Sequence, residues 1–270
     1  MSTLRVGVLG WGAIGSAVGE RLVAGALSGV QLSAIATRTV PAGAPVPIVE
    51  PTELPNRCDA VVEATGHDGV RAYVPGLLGA GCHVVLVSAG ALRDRDLFTA
   101  VRGIGGHLLT ITGGAVGGLD IIRACRHAGA IKSIRLITTK PSHTLAQPWM
   151  TGDMAARLAA GEGRVECFRG SADDAAERFP VSVNVAATLA ISAESWELIE
   201  VQVIGDPTAT INRHQIEIEA DVGRYRIELM NYPLSTNPRS SALVVASVLR
   251  DLDDLRQRFR HSPGMTLPDS

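Results

Sequence analysis

Apolar positions in the first 125 residues fall into short continuous runs separated by stretches with helical spacing. Leu4–Leu9 is an apolar run that ends in glycine, and Ala13–Ala26 follows with Ile14, Val18, Leu22 and Val23 on one helical face. The alternation continues with strands over Gln31–Ala36, Asp59–Glu63, His83–Val87 and His107–Thr112, and helices over Gly69–Gly79, Asp94–Val101 and Val116–Ala128. The segment holding Pro41, Pro45, Pro47, Pro51 and Pro55 breaks the rhythm, since proline excludes a standard helix there. Strands that read as unbroken apolar runs (VGVL, DAVVEA, HVVLV, LLTIT) are buried on both faces. Alternating β and α segments of this kind predict a doubly wound parallel sheet whose strand C-termini share one edge.

After about residue 130 the pattern changes. Strands are expected over Ser133–Thr139, Arg164–Arg169, Glu197–Ile204, Gln215–Ala220 and Arg224–Met230, with a hairpin at Asp221-Val222-Gly223. Helices are expected over Val183–Ala193 and over Ser240–Arg258, with Asn237 or Ser240 as the N-cap of the last one. The fold class is therefore α/β: a doubly wound parallel-sheet domain plus an α+β domain with a mostly antiparallel sheet. The expected boundaries are 1–114 for the first, with the C-terminal helix 240–260 packing back on it. Residues 115–239 form the second domain.

Composition narrows the partners. Aromatic residues are only 4% of the 270, so Val, Ile, Leu and Ala must fill the cores. The net charge of −2 offers no basic excess for a phosphate polymer, which argues against nucleic acid. No run reaches the length of a membrane span, and no signal peptide is evident, so the expectation is a cytoplasmic protein. Cys58, Cys82, Cys125 and Cys167 match no metal or disulfide spacing and read as reduced, mostly buried thiols; no metal is expected.

The candidate chemistry starts at Gly10-Trp11-Gly12-Ala13-Ile14-Gly15, a G-x-G-x-x-G placed between a strand and a helix. Gly10 permits the tight turn, Gly12 lets a pyrophosphate approach the backbone, and Gly15 lets helix and strand pack closely. The diphosphate would meet the N–H groups of the helix start, at Ala13 and Ile14. About 20 residues on, where NAD enzymes carry an acid for the ribose, the chain has Thr37-Arg38-Thr39. Arg38 suits a 2′-phosphate, so NADP is expected to be accepted and NAD is not excluded. The Glu63–His67 segment with Ala64, the Val87–Leu92 segment with Ser88 and Ala89, and the Thr112–Gly118 segment with Ala115 all follow strands and line the same edge.

The chain resembles the L-aspartate dehydrogenase family from end to end. The resemblance rests on GWGAIG, VVEATG, SAGAL, GGAVGGLD, TTKP, FPVSVNVAATLA, GDPTATINRHQIEIEADVGRYRIELMN and NPRSSALVVASV. Departures from the family pattern stand at Gly113, Ser142 and Ser182. The resemblance implies a homodimer with a dinucleotide-binding domain and, over 115–239, a catalytic and dimerisation domain; it oxidises L-aspartate to iminoaspartate with NAD or NADP. The imine feeds NAD biosynthesis or hydrolyses to oxaloacetate and ammonia. It places the family's catalytic histidine on His214 and its nicotinamide contacts on Ala115 and Asn184.

Oxidation at Cα needs an unprotonated amine and a base, a role histidine suits. A dicarboxylic substrate also needs donors for both carboxylates. Lys140 and Arg239 are the candidates, with Asn184 a further hydrogen-bonding one. The alternative role for Asn184 is to cap its helix, and for Arg239 to decorate the last one. Two other readings stay open at this point: a related dehydrogenase of another small amino or hydroxy acid, and a non-catalytic NAD(P)-binding sensor.

Overall fold

The computed structural model of the chain describes residues 3–179 and 183–261, apart from the side chains at 183, 238, 239, 260 and 261. The chain forms two compact units. One runs up to Gly114 and resumes at Val244; the other is Ala115–Leu243.

The first unit is built on β1 (Leu4–Leu9), β2 (Val30–Ala36), β3 (Ala60–Glu63), β4 (His83–Leu86) and β5 (Leu109–Ile111), in the order β2-β1-β3-β4-β5. All four pairings are parallel. The crossovers carry α1 (Ala13–Val23), α2 (His67–Gly79) and α3 (Arg95–Gly105). Val6, Val8, Val61, Val62, Val84 and Val85 are completely buried, which is why these strands read as unbroken apolar runs. The chain leaves β1 to pair on one side with β2 and on the other with β3, so a crevice opens beyond the paired ends Leu9 and Glu63. The proline segment contains a 3-10 helix over Pro51–Asn56, and α2 tolerates Pro75 in its interior.

The second unit contains α4 (Leu119–Ala128), β6 (Ile131–Pro141), α5 (Gly152–Ala160), β7 (Val165–Ser171), α6 (Ala172–Arg178), α7 (Val183–Ala193), β8 (Ile199–Asp206), β9 (Asn212–Ala220) and β10 (Gly223–Asn231). Its sheet runs β10-β9-β6-β8-β7; β6 and β8 are parallel and the other neighbours antiparallel. Strict alternation along β8 and β9 separates two faces. The inner face holds Ile134, Leu136, Ile199, Val201, Ile216 and Ile218, all buried. The outer face is a lattice of ion pairs between strands, such as Arg135 with Glu200 and Glu217, and Arg169 with Glu200. Helix α7 packs on α4, α6 and β8.

Several boundaries differ from those expected. Helix α4 starts at Leu119, because Gly118 sits at φ 76 and ends the loop before it. Helices α5 and α6 were not expected at all; Thr151 and Ser171 cap them. The segment Asn237–Ser241 is a strand, β12, paired with β11 (Pro233–Leu234), so the last helix, α8, begins at Ala242. Its cap is Ser241, whose Oγ accepts from the Leu243 amide at 3.2 Å, and neither Asn237 nor Ser240 fills that role. Ser247 on α8 donates to the Gly114 carbonyl at 2.9 Å, and Phe259 meets His83 edge-on at 5.1 Å.

Candidate active site

In the first unit, the glycine turn between β1 and α1 divides its labour. Gly10 has φ +96, and a Cβ there would stand 2.6 Å from the Ala64 carbonyl oxygen. A Cβ on Gly15 would lie 1.9 Å from the Gly10 carbonyl oxygen and 3.1 Å from Val8 Cγ1. Both glycines are demanded by the protein's own backbone. Gly12 is different: nothing lies within 4 Å of where its Cβ would be. It is also the N-cap of α1, with no side-chain cap and no acid in the first turn. Open space beside amides at the positive end of a helix dipole fits a pyrophosphate. Ala13 and Ile14 supply the first residues of that helix.

The other residues of this edge follow their strands as the topology requires. Arg38 is exposed in the bend after β2, with Thr37 Oγ1 donating to the Thr39 carbonyl at 3.2 Å. Ala64 follows β3, and its amide donates to the Leu9 carbonyl at 2.8 Å. Ser88 and Ala89 follow β4 and are buried.

In the second unit the register across the sheet builds a polar end on an apolar face. His214 of β9 is paired with Thr138 of β6 and with Leu229 of β10. All three lie on the inner face. Lys140 lies two residues beyond Thr138, hence on the same face, opposite Gly205 of β8. His214 is buried, at 6% exposure, and its Nδ1 is 3.0 Å from Thr138 Oγ1. Burial, reinforced by the Lys140 charge, lowers the His214 pKa to about 4, so the ring is neutral at neutral pH. Burial also pushes the Lys140 ammonium below its ordinary value.

The loop into α4 sits over β10. A Cβ on Gly117 would lie 3.3 Å from Leu229 Cδ2, and one on Gly118 only 2.1 Å from Ile227 Cδ1. Buried Asn231, at the end of β10, donates from Nδ2 to the Ala115 carbonyl at 3.0 Å and fixes that loop. Asn184 opens α7, where its carbonyl accepts from Thr188 Oγ1 at 2.8 Å. Arg239 lies on β12 and its side chain is outside the described residues, while Ser182 lies outside them altogether.

The residues singled out from sequence thus divide between the units. Gly10, Gly12, Ala13, Ile14, Gly15, Arg38, Ala64, Ser88 and Ala89 belong to the first; Ala115, Lys140, Asn184 and His214 belong to the second. Within the second unit, Lys140 and Thr138 act directly on His214. The sequence assigned no role to Thr138, Asn231 or, in the first unit, Glu63, although Glu63 opens a segment at the crevice edge. The only available signal was periodicity: Thr138 lies two residues from Lys140 in TTKP, and Asn231 ends the alternation of β10. Among the described residues no cluster of metal ligands exists, and no helix is long and apolar enough to cross a membrane.

Comparison with known proteins agrees with this architecture. Residues 120–255 match the family model described as aspartate dehydrogenase, C-terminal, and residues 10–104 match that of the homoserine dehydrogenase NAD binding domain. The L-aspartate dehydrogenase of Ruegeria pomeroyi is 35% identical, covering 94% of this chain and 92% of that protein. That of Methanosarcina acetivorans is 31% identical, covering 92% and 96%. The crystal structure of aspartate dehydrogenase from Thermotoga maritima superposes with a TM-score of 0.75 at 24% identity over 93% of this chain and 96% of that one, which establishes the shared fold. With a family model spanning half of its length and relatives above 30% identity over nearly all of it, the chain belongs to the L-aspartate dehydrogenase family.

Proposed function

We propose that the protein is an NAD(P)-dependent L-aspartate dehydrogenase that oxidises L-aspartate to iminoaspartate. The observation that carries the reading is the buried, neutral His214 imidazole held by Thr138 beside the Lys140 ammonium. Amine oxidation needs a group of this kind, because the substrate nitrogen must lose a proton before its lone pair can assist loss of the Cα hydrogen. In the tautomer whose Nδ1–H donates to Thr138 Oγ1, Nε2 carries the lone pair that takes this proton. The Lys140 ammonium offers a charge-assisted hydrogen bond to a substrate carboxylate, and Asn184 and Arg239 are further candidates for substrate. Family membership sets aside a sensor without turnover.

Gly12, Ala13 and Ile14 would hold the pyrophosphate of the dinucleotide, Arg38 its adenosine ribose or 2′-phosphate, and Ala64, Ser88, Ala89, Ala115 and Asn184 its nicotinamide half. When bound, the dinucleotide supplies the two-electron acceptor for the Cα hydrogen. The family resemblance further supports a cytoplasmic homodimer whose product enters NAD biosynthesis, or hydrolyses to oxaloacetate and ammonia.

The test is the rise of reduced-nicotinamide absorbance when the purified protein meets L-aspartate with NAD or NADP, beside a panel of other amino and hydroxy acids. His214→Asn should lower kcat by about 10²–10⁴-fold with cofactor binding retained. Turnover of another acid in preference to aspartate would move the assignment to a related dehydrogenase.

A further inference from the structure

Glu63 ends β3 at the crevice edge, and its side chain is completely buried, at 0% exposure. A carboxylate is an expensive residue at the end of an apolar strand unless hydrogen bonds replace the water it loses. Five do so. Oε1 accepts from the Thr65 amide at 2.7 Å, the Thr65 hydroxyl at 2.8 Å, the Gly66 amide at 3.3 Å and the Ser88 hydroxyl at 3.0 Å. Oε2 accepts from the Ser88 amide at 3.0 Å. The Gly66 amide also donates to Ser88 Oγ at 3.0 Å, which closes the ring of contacts.

These donors come from the loops that leave β3 and β4, and Ser88 is 25 residues along the chain from Glu63. The glycine turn rests on the same segment. A Cβ on Gly10 would touch the Ala64 carbonyl oxygen at 2.6 Å and Thr65 Cγ2 at 2.8 Å. Strand β3 itself is already secured by its pairing with β1 and β4, up to Glu63 opposite Leu9 and Leu86. The carboxylate therefore organises what lies beyond the strands: the three loops that border the crevice.

We propose that Glu63 is a positioning residue for the dinucleotide, locking the exits of β3 and β4, and through Ala64 the Gly10 turn, into the shape that receives the cofactor. The inference rests on the dinucleotide-binding part of the function proposed above. Glutamine is not an adequate substitute. All five contacts are donors, and an amide NH2 would face at least one of them with another donor. Hydride transfer tolerates little displacement, so loosened loops cost binding and orientation together.

The experiment titrates NADH and NADPH into the full-length protein without aspartate and then measures steady-state kinetics. Glu63→Gln should weaken dinucleotide binding about tenfold or more and raise the KM for dinucleotide in step, while the KM for aspartate moves within about twofold. Because Glu63→Gln risks misfolding, Thr65 supplies an independent pair. Thr65→Val keeps the shape and loses the hydroxyl donor, and should weaken binding roughly fourfold; Thr65→Ser keeps the donor and should stay within about twofold. Binding within about twofold of wild type in both Glu63→Gln and Thr65→Val, or equal loss in the valine and serine variants, overturns the inference and leaves the functional reading standing. A wild-type protein that binds neither dinucleotide overturns the functional reading itself.

Discussion

Acidification should destabilise the protein through His214. Burial first, and the neighbouring Lys140 charge second, lower its pKa from 6.5 to about 4 in the folded state. The unfolded chain leaves the imidazole at its ordinary value, so as pH falls the unfolded state takes up the proton first. The stabilisation is therefore complete above the unfolded value of 6.5 and is lost progressively down to about 4. The distance between 6.5 and about 4 sets a ceiling of about 3 kcal/mol, and about 2 kcal/mol of it is gone by about pH 5. Urea unfolding of wild type and His214→Asn at about pH 7 and about pH 5 isolates this, because carboxylates common to both proteins cancel in the comparison. Wild type should lose about 2 kcal/mol more than the variant between the two conditions. Ring chemical shifts in the folded protein give the pKa directly. A ring that titrates near 6.5, or equal acid losses in the two proteins, would refute the account of burial. Substrate carboxylates next to the ring favour its protonated form, so the acid limb of kcat should lie at higher pH than that of kcat/KM.

Other outcomes follow from the same structure. Gly15→Ala should cost about 3 kcal/mol in denaturant unfolding, because its Cβ strikes backbone. Gly12→Ala, whose Cβ meets only open space, should stay within about 1 kcal/mol of wild type yet bind dinucleotide about tenfold more weakly in a fluorescence titration. Lys140→Met should raise the KM for aspartate about tenfold or more, and removal of its charge should move the His214 ring upward in an NMR titration. Arg38→Ala should weaken NADP about tenfold in competition binding and leave NAD within about twofold. Burial pushes the Cys58 thiol up to about 12 and the Cys82 thiol up to about 11, so both should resist thiol reagents in the native protein and react promptly once it unfolds.

The parallel sheet was legible because burial on both faces leaves a run such as VVL or VGVL no polar alternative, and the antiparallel one because β8 and β9 alternate without a break. Helices α5 and α6 were not. They are short, and α6 carries Asp173, Asp174, Glu177 and Arg178 in seven residues, which leaves only a narrow apolar stripe of alanines. The start of the last helix was misplaced because Asn237-Pro238-Arg239-Ser240 looks like a cap while tertiary pairing with β11 makes it a strand. At the site, His214 and Lys140 stood out as chemistry within a motif. Glu63 did not, since its meaning depends on donors contributed by Ser88, and only folding brings those together. Thr138 was hidden for the same reason: its role is a cross-strand pairing with a residue 76 positions away.

The two-sided construction of β9 restricts how this protein can change length. His214 faces inward between Arg213 and Gln215, which face the ion-pair lattice, and the strand turns back into β10 through only Asp221 and Val222. Adding or deleting one residue between that tight turn and His214 would rotate the imidazole into solvent and drive charged neighbours into the apolar layer. Single-codon insertions and deletions should therefore be purged from 215–222, whereas the 207–211 connection on the other side of the histidine can lengthen or shorten without changing which way the ring points.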